Sequence, residues 1–311
     1  MSWKKFTYCT VLFFTPICIA VIGIEYLVRN TPNSISVSSS YLKKEKNAIK
    51  SLVLSASQNK RAINPEYLSA NTLTVAGSRQ GHKTDYYLLK GLHKQLPNLE
   101  RVFIGVTVRH FESRPNPKDF WKYKSFLVYY NINAFERPVY FKDRIIYLGN
   151  PSFYNNTLEA FYIKNERDVY NKFGFQLKGI KDRFSELNYN EEIIINSFKR
   201  SKNRTFYKDI LELSIPWFHK TLAYCQDHNI EVILTKTPTY KNYKPALDQD
   251  VIKRRDSIVE QTLRMYPSTR LFDEESSDSY TIKHFINENH LNPEGAKIFT
   301  KKLDAFIQEN K

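Results

Sequence analysis

The sequence has few of the residues that mark metal, redox or phosphate chemistry. It holds three cysteines in 311 residues, and two of them, Cys9 and Cys18, lie in the apolar N-terminus. Cys225 stands alone in the main body, so no intramolecular disulfide framework forms there, and cysteine usage favours neither an oxidising nor a reducing compartment. There is no CxxC pair, no His/Cys cluster at zinc-ligand spacing and no Gly-rich phosphate loop. Neither a cofactor nor a metal is expected. A dense basic run is also lacking. The formal charge is +15, but its Lys and Arg residues are spread along the chain without a nucleic-acid reader motif. This sets nucleic acid aside as a partner and leaves a basic surface suited to acidic glycans or anionic lipid headgroups.

What is present points to a folded, anchored chain. Hydrophobic residues make up 41%, with 21 Tyr and 21 Phe, enough for one large α/β domain plus extras. Phe6 to Val28 is apolar, broken only by Pro16 and by Glu25 near its far end, and Lys4 and Lys5 precede it. That length suits one membrane-spanning helix. No small-x-small site follows, and Thr15-Pro16-Ile17 before Cys18 is a poor lipoprotein signal, so an uncleaved anchor is expected. Lys4 and Lys5 favour an inside N-terminus, against an opposing pull from Arg29, Lys43, Lys44 and Lys46. The expected organisation is an anchor over 1–29 and a polar linker over 30–40 (NTPNSISVSSS). An α/β domain follows over 41–311, with an insertion at about 110–196. The chain would be single-pass, with its C-terminal domain periplasmic or extracellular.

Short apolar runs predict strands at Ser51–Leu54, Thr72–Val75, Arg101–Val106, Ile230–Thr235 and Arg270–Phe272. Helices are expected at about His82–Leu96, Phe206–His228 and Gln249–Met265. A last helix starts after Asn292, with Pro293 in its first turn. The alternation predicts a doubly wound parallel sheet. The Tyr- and Phe-rich middle shows strand-like stretches at Lys124–Tyr130 and Asp143–Leu148 and reads as a cap over the sheet. Open α/β sheets bind ligands at the carboxyl ends of their strands. Ser57, just past the first strand, and His290, in NENHLNPEG, are therefore candidates for one shared site.

Strand-SxS, INPEYL, a small-residue loop before DYYLLK, and HLNPEGAKIF together resemble the SGNH/GDSL hydrolase family over roughly Leu52 to Phe299. The resemblance implies a three-layer, flavodoxin-like α/β fold, with Ser57 as nucleophile and His290 as general base. It also implies departures. The family's first glycine is Ser55 here, the asparagine of its Gly-x-Asn is Thr107, and the aspartate three residues before the histidine is Asn287. An amide there cannot stabilise a charged imidazole and can favour the wrong tautomer; in serine proteases that exchange costs about 10⁴ in rate. Replacement carboxylates are Asp273, Asp278 and Glu288. The oxyanion glycine falls among Gly77, Ser78 and Arg79. Arg79, Arg109, His110 and Lys236 are candidate cations for an acidic substrate, and Tyr240 and Tyr243 for stacking on sugar rings. The implied function is a membrane-anchored esterase or O-acyltransferase acting on cell-envelope polysaccharide or another acyl ester. The alternative is a non-catalytic protein that binds glycans or assists envelope assembly.

Overall fold

Residues along the central strands alternate between two apolar clusters. Leu52, Leu54, Val102, Ile104, Val232 and Leu234 enter one; Val53, Phe103 and Ile233 enter the other. A strand with both faces buried needs helices on both sides, and the computed structural model, which describes residues 2–108, 110–198 and 208–309, has them.

The sheet strands are β1 (Ser51–Val53), β2 (Thr72–Thr74), β3 (Arg101–Gly105), β6 (Glu231–Lys236) and β7 (Thr269–Asp273). They lie in the order β2-β1-β3-β6-β7, all parallel. Two small antiparallel hairpins stand apart: β4 (Val169–Tyr170) with β5 (Gln176–Lys178), and β8 (Phe285–Asn287) with β9 (His290–Leu291). The helices are α1 (Trp3–Asn30), α2 (Ser34–Glu45), α3 (Ser57–Ala62), α4 (His82–His93), α5 (Tyr123–Tyr130), α6 (Pro151–Leu158), α7 (Arg183–Glu186), α8 (Glu191–Phe198), α9 (Lys208–Asp227), α10 (Gln249–Met265) and α11 (Pro293–Gln308). Helices α2, α4, α5 and α9 cover one face through residues such as Leu42, Leu88, Phe126 and Leu222. Helices α3 and α11 cover the other through Ala62, Phe299 and Leu303. The order reverses between β1 and β3, so the switch point, where such sheets bind ligands, lies at their carboxyl ends.

Helix α1 is long and apolar enough to cross a membrane. Its 28 residues span roughly 42 Å at 1.5 Å each, against a hydrocarbon core of about 30 Å. Its first part is exposed, and its far end docks on the body. There Glu25, which interrupts the apolar run, accepts the Ile146 and Tyr147 amide protons at 3.0 Å each and pairs with Arg29 at 2.7 Å.

Three expectations need correction. The polar stretch expected as a tether is mostly helix α2. Asn33 caps it in a reciprocal box with Ser36, and its buried serines bond to the body, Ser38 to the Phe173 carbonyl and Ser39 to the Tyr129 carbonyl. The strand-like Lys124–Tyr130 is helix α5. Tyr123, Phe126, Leu127 and Tyr130 fall at i, i+3, i+4 and i+7 and are all buried, so helical periodicity outweighs aromatic β propensity. Asp143–Leu148 is likewise not extended; it is spanned by short 3₁₀ turns. The helix expected over 206–228 is described from Lys208.

Candidate functional site

The turn after β1 is built to present Ser57. Ser55 sits at φ +85°, the left-handed region that glycine occupies without penalty. It is held there from three sides. Its amide donates to Asp85 Oδ1 at 2.9 Å, its Oγ accepts the Gly105 amide proton at 2.9 Å, and its carbonyl accepts the Gly77 amide proton at 3.0 Å. Asn59, one turn into α3, is buried and accepts from the Thr235 hydroxyl at 2.9 Å. A Cβ on Gly105 would come within 2.9 Å of the Asn59 Oδ1, so the close approach of β3 to α3 requires glycine there. These bonds fix Ser57 at the first position of α3.

The hairpin β8–β9 brings His290 to the same place. Its Nε2 lies 2.8 Å from Ser57 Oγ, and its Nδ1 lies 2.9 Å from Asn287 Oδ1. The Asn289 amide donates to that same Oδ1 at 3.2 Å, which fixes the oxygen toward the ring. A carbonyl oxygen only accepts, so His290 carries its proton on Nδ1, and Nε2 is free to take the Ser57 proton. In this geometry the amide oxygen is paired with the productive tautomer. It supplies no charge, however. Burial, reinforced by the nearby Arg61 guanidinium, pulls the His290 pKa down to about 4. The imidazole is neutral at pH 7 but a weak base.

None of Asp273, Asp278 and Glu288 hydrogen-bonds to His290 among the described residues. Asp273 pairs with Lys236, Glu288 pairs with Arg183, and Asp278 lines the wider cleft described below. The Gly77 amide is committed to Ser55, whereas the amides of Ser57, Ser78 and Arg79 have no acceptor among the described residues. These amides are free to donate, one on the Ser57 turn and two on the loop after β2. Thr107 lines a pocket of about 40 Å³ with Gln58 and Asn289, the neighbours of Ser57 and His290. Thr239 and Glu275 in its wall also line a wider polar cleft of about 890 Å³.

Other candidates are not brought to the site as free groups. Lys236 is buried and paired with Asp256 at 2.8 Å and Asp273 at 3.1 Å. Tyr240 and Tyr243 are buried among Phe184, Phe198 and Phe285, which excludes face-on stacking with a sugar. His110 is interior, with its Nδ1 at 2.8 Å from the Gly105 carbonyl oxygen. Arg79 is exposed on the loop after β2, and Arg109 lies outside the described residues.

Asp85, in the DYYLLK run, is the buried residue behind the Ser57 turn that sequence reasoning missed. Besides Ser55 it accepts from Gln80 at 2.7 Å, and its Oδ2 lies 3.9 Å from His82 Nδ1 and from His110 Nε2. Burial raises its pKa and drives that of His82 well below the ordinary value. Ligand atoms of a tetrahedral zinc site lie roughly 3.4 Å apart, so this buried trio would have to contract to hold a metal. In its present geometry it supports the turn that carries Ser57. In comparisons with known proteins, the sequence matches no family model and no curated protein.

Proposed function

We propose that the chain is a divergent, membrane-anchored SGNH/GDSL-type protein, an esterase or O-acyltransferase acting on cell-envelope polysaccharide. The observation that carries this reading is the relay Ser57 Oγ, His290 Nε2, His290 Nδ1 and Asn287 Oδ1, with separations of 2.8 and 2.9 Å at the switch point of a parallel sheet. The strand order supports the flavodoxin-like arrangement. The apolar α1 supports a single-pass anchor, and a periplasmic or extracellular domain would meet envelope glycans directly.

Ser57 attacks the ester carbonyl as its proton passes to His290 Nε2. The amides of Ser57, Ser78 and Arg79 receive the oxyanion. The alcohol leaves with the proton from His290, and acyl-Ser57 remains. Water then completes hydrolysis, or a sugar hydroxyl completes transfer, with His290 again taking the proton. Turnover of an activated acetyl ester by the full chain, absent in Ser57→Ala, tests the reading. Equal turnover by both proteins refutes it.

A second reading, a glycan-binding protein without turnover, draws support from the depressed basicity of His290 and from Gly77's committed amide. Binding of acidic glycans unchanged in Ser57→Ala, with no ester turnover by either protein, favours it.

A further inference from the structure

A cavity of about 550 Å³ opens where α1 joins the body. Val28 and Thr31 of the helix end form one wall, and Trp121, Phe153 and Tyr154 form another. Lys60, Arg79 and Lys122 form a third, and Asp168 is the acid that lines it with them. None of the three cations has a carboxylate within ion-pair distance among the described residues; Lys122 Nζ rests on the Ser78 carbonyl at 2.6 Å. The cations share one field. Burial, then the charges of Lys60 and Arg79, pulls Lys122 down to about 7, and burial, then Arg61, pulls Lys60 down to about 8. Asp168, whose charge partly offsets the effect on Lys60, is one acid against three cations, and the excess positive charge in a half-enclosed space favours an added anion.

The cavity also adjoins the site. Lys60 lies three residues after Ser57 on α3, one turn along the same face, and Ser78 and Arg79 carry two of the oxyanion amides. Phe153 of its wall is half exposed, and Leu148 and Ile163 are exposed on the same 146–163 segment, whose Ile146 and Tyr154 pack against Val28 of α1; a bilayer surface meets this side when α1 spans.

We infer that this cavity holds the phosphate-bearing headgroup of an anionic membrane lipid beside Ser57. Lys60, Arg79 and Lys122 receive the phosphate, and the aromatic wall and the α1 end receive the first part of the lipid's apolar stem. The inference rests on the anchored reading above and names a ligand for the same site.

The test is native mass spectrometry of the full chain in neutral detergent, with phosphatidylglycerol or phosphatidylcholine added. Retention of phosphatidylglycerol at least ~10-fold above phosphatidylcholine is expected, which is about the effect of one charge contact worth ~1.4 kcal/mol. Lys122→Glu and the milder Lys60→Met/Lys122→Met pair, each checked for an unchanged melting temperature, should remove that preference. Lys43→Glu, exposed on α2 outside the cavity, should keep it. Equal retention of the two lipids, a preference that survives the cavity variants, or an equal loss in Lys43→Glu would overturn the inference. Competition by inorganic phosphate at concentrations equal to the lipid would make the ligand a free anion and overturn the lipid part. The readout needs no turnover and is repeated in Ser57→Ala. Lipid retention without esterase activity would sink only the enzyme, and activity without lipid preference would sink only this inference.

Discussion

Asn287→Asp should convert a weak base into a strong one. In the native chain the imidazole has an amide partner 2.9 Å away and a pKa held near 4. A carboxylate whose charge centre lies about 4 Å from the imidazolium is worth ~4 kcal/mol at an effective dielectric of 20, or roughly 3 pKa units. The His290 pKa should therefore rise toward about 7. The new carboxylate keeps an oxygen for the Asn289 amide, so the geometry survives. The assay is the rate at which a fluorophosphonate labels Ser57 as a function of pH. The reacting form needs neutral His290, so labelling of the native protein rises through about pH 4 and is flat above it. In the variant the acidic limb should move up by roughly 3 units, and the plateau should rise at least ~30-fold, well inside the ~10⁴ that the reverse change costs a serine protease. A folded variant with an unmoved limb and an unchanged plateau would refute His290 as the base.

Gly105→Ala should destabilise by about 1–3 kcal/mol, because its Cβ would meet Asn59 Oδ1 at 2.9 Å and displace the bond to Thr235; a change under ~0.5 kcal/mol in urea unfolding would contradict the packing described. Glu275→Ala should cost roughly 2–4 kcal/mol, about 5–10 °C in melting temperature, since the buried Arg255 loses two bonds at 2.6 and 2.8 Å and keeps only Asp256 as a carboxylate partner, at 2.7 Å. Arg255→Met with Glu275→Leu should recover part of that loss; no recovery would mean the cost is not the weakened pairing of the buried charge. Glu25→Gln should speed amide exchange at Ile146 and Tyr147 about tenfold by weakening the joint between α1 and the body; unchanged exchange would place the joint elsewhere.

The sheet was legible because its strands have short apolar centres, as strands buried on both faces do, and turn-forming residues bound them. Helix α5 misled because Tyr, Phe and Val favour strands, and its helical period emerges only from which side chains are buried. Helix α2 misled because serines signal a tether until buried carbonyls are there to receive their hydroxyls. At the site, Ser57, His290 and Asn287 were readable because motif and strand end coincide. Lys236 and Tyr240 were not, since pairing with Asp256 or packing on Phe184 depends on contacts distant in the chain. Asp85 gave one signal, a single acid in the first turn of a helix with an apolar face.

The central claim is that Ser57 is a nucleophile activated by His290. Mapping fluorophosphonate adducts on the full chain by peptide mass spectrometry tests it most directly. The account predicts one adduct, on Ser57, and its near disappearance in His290→Ala. A protein left unlabelled at every pH, or labelled at Ser57 equally well without His290, would contradict it.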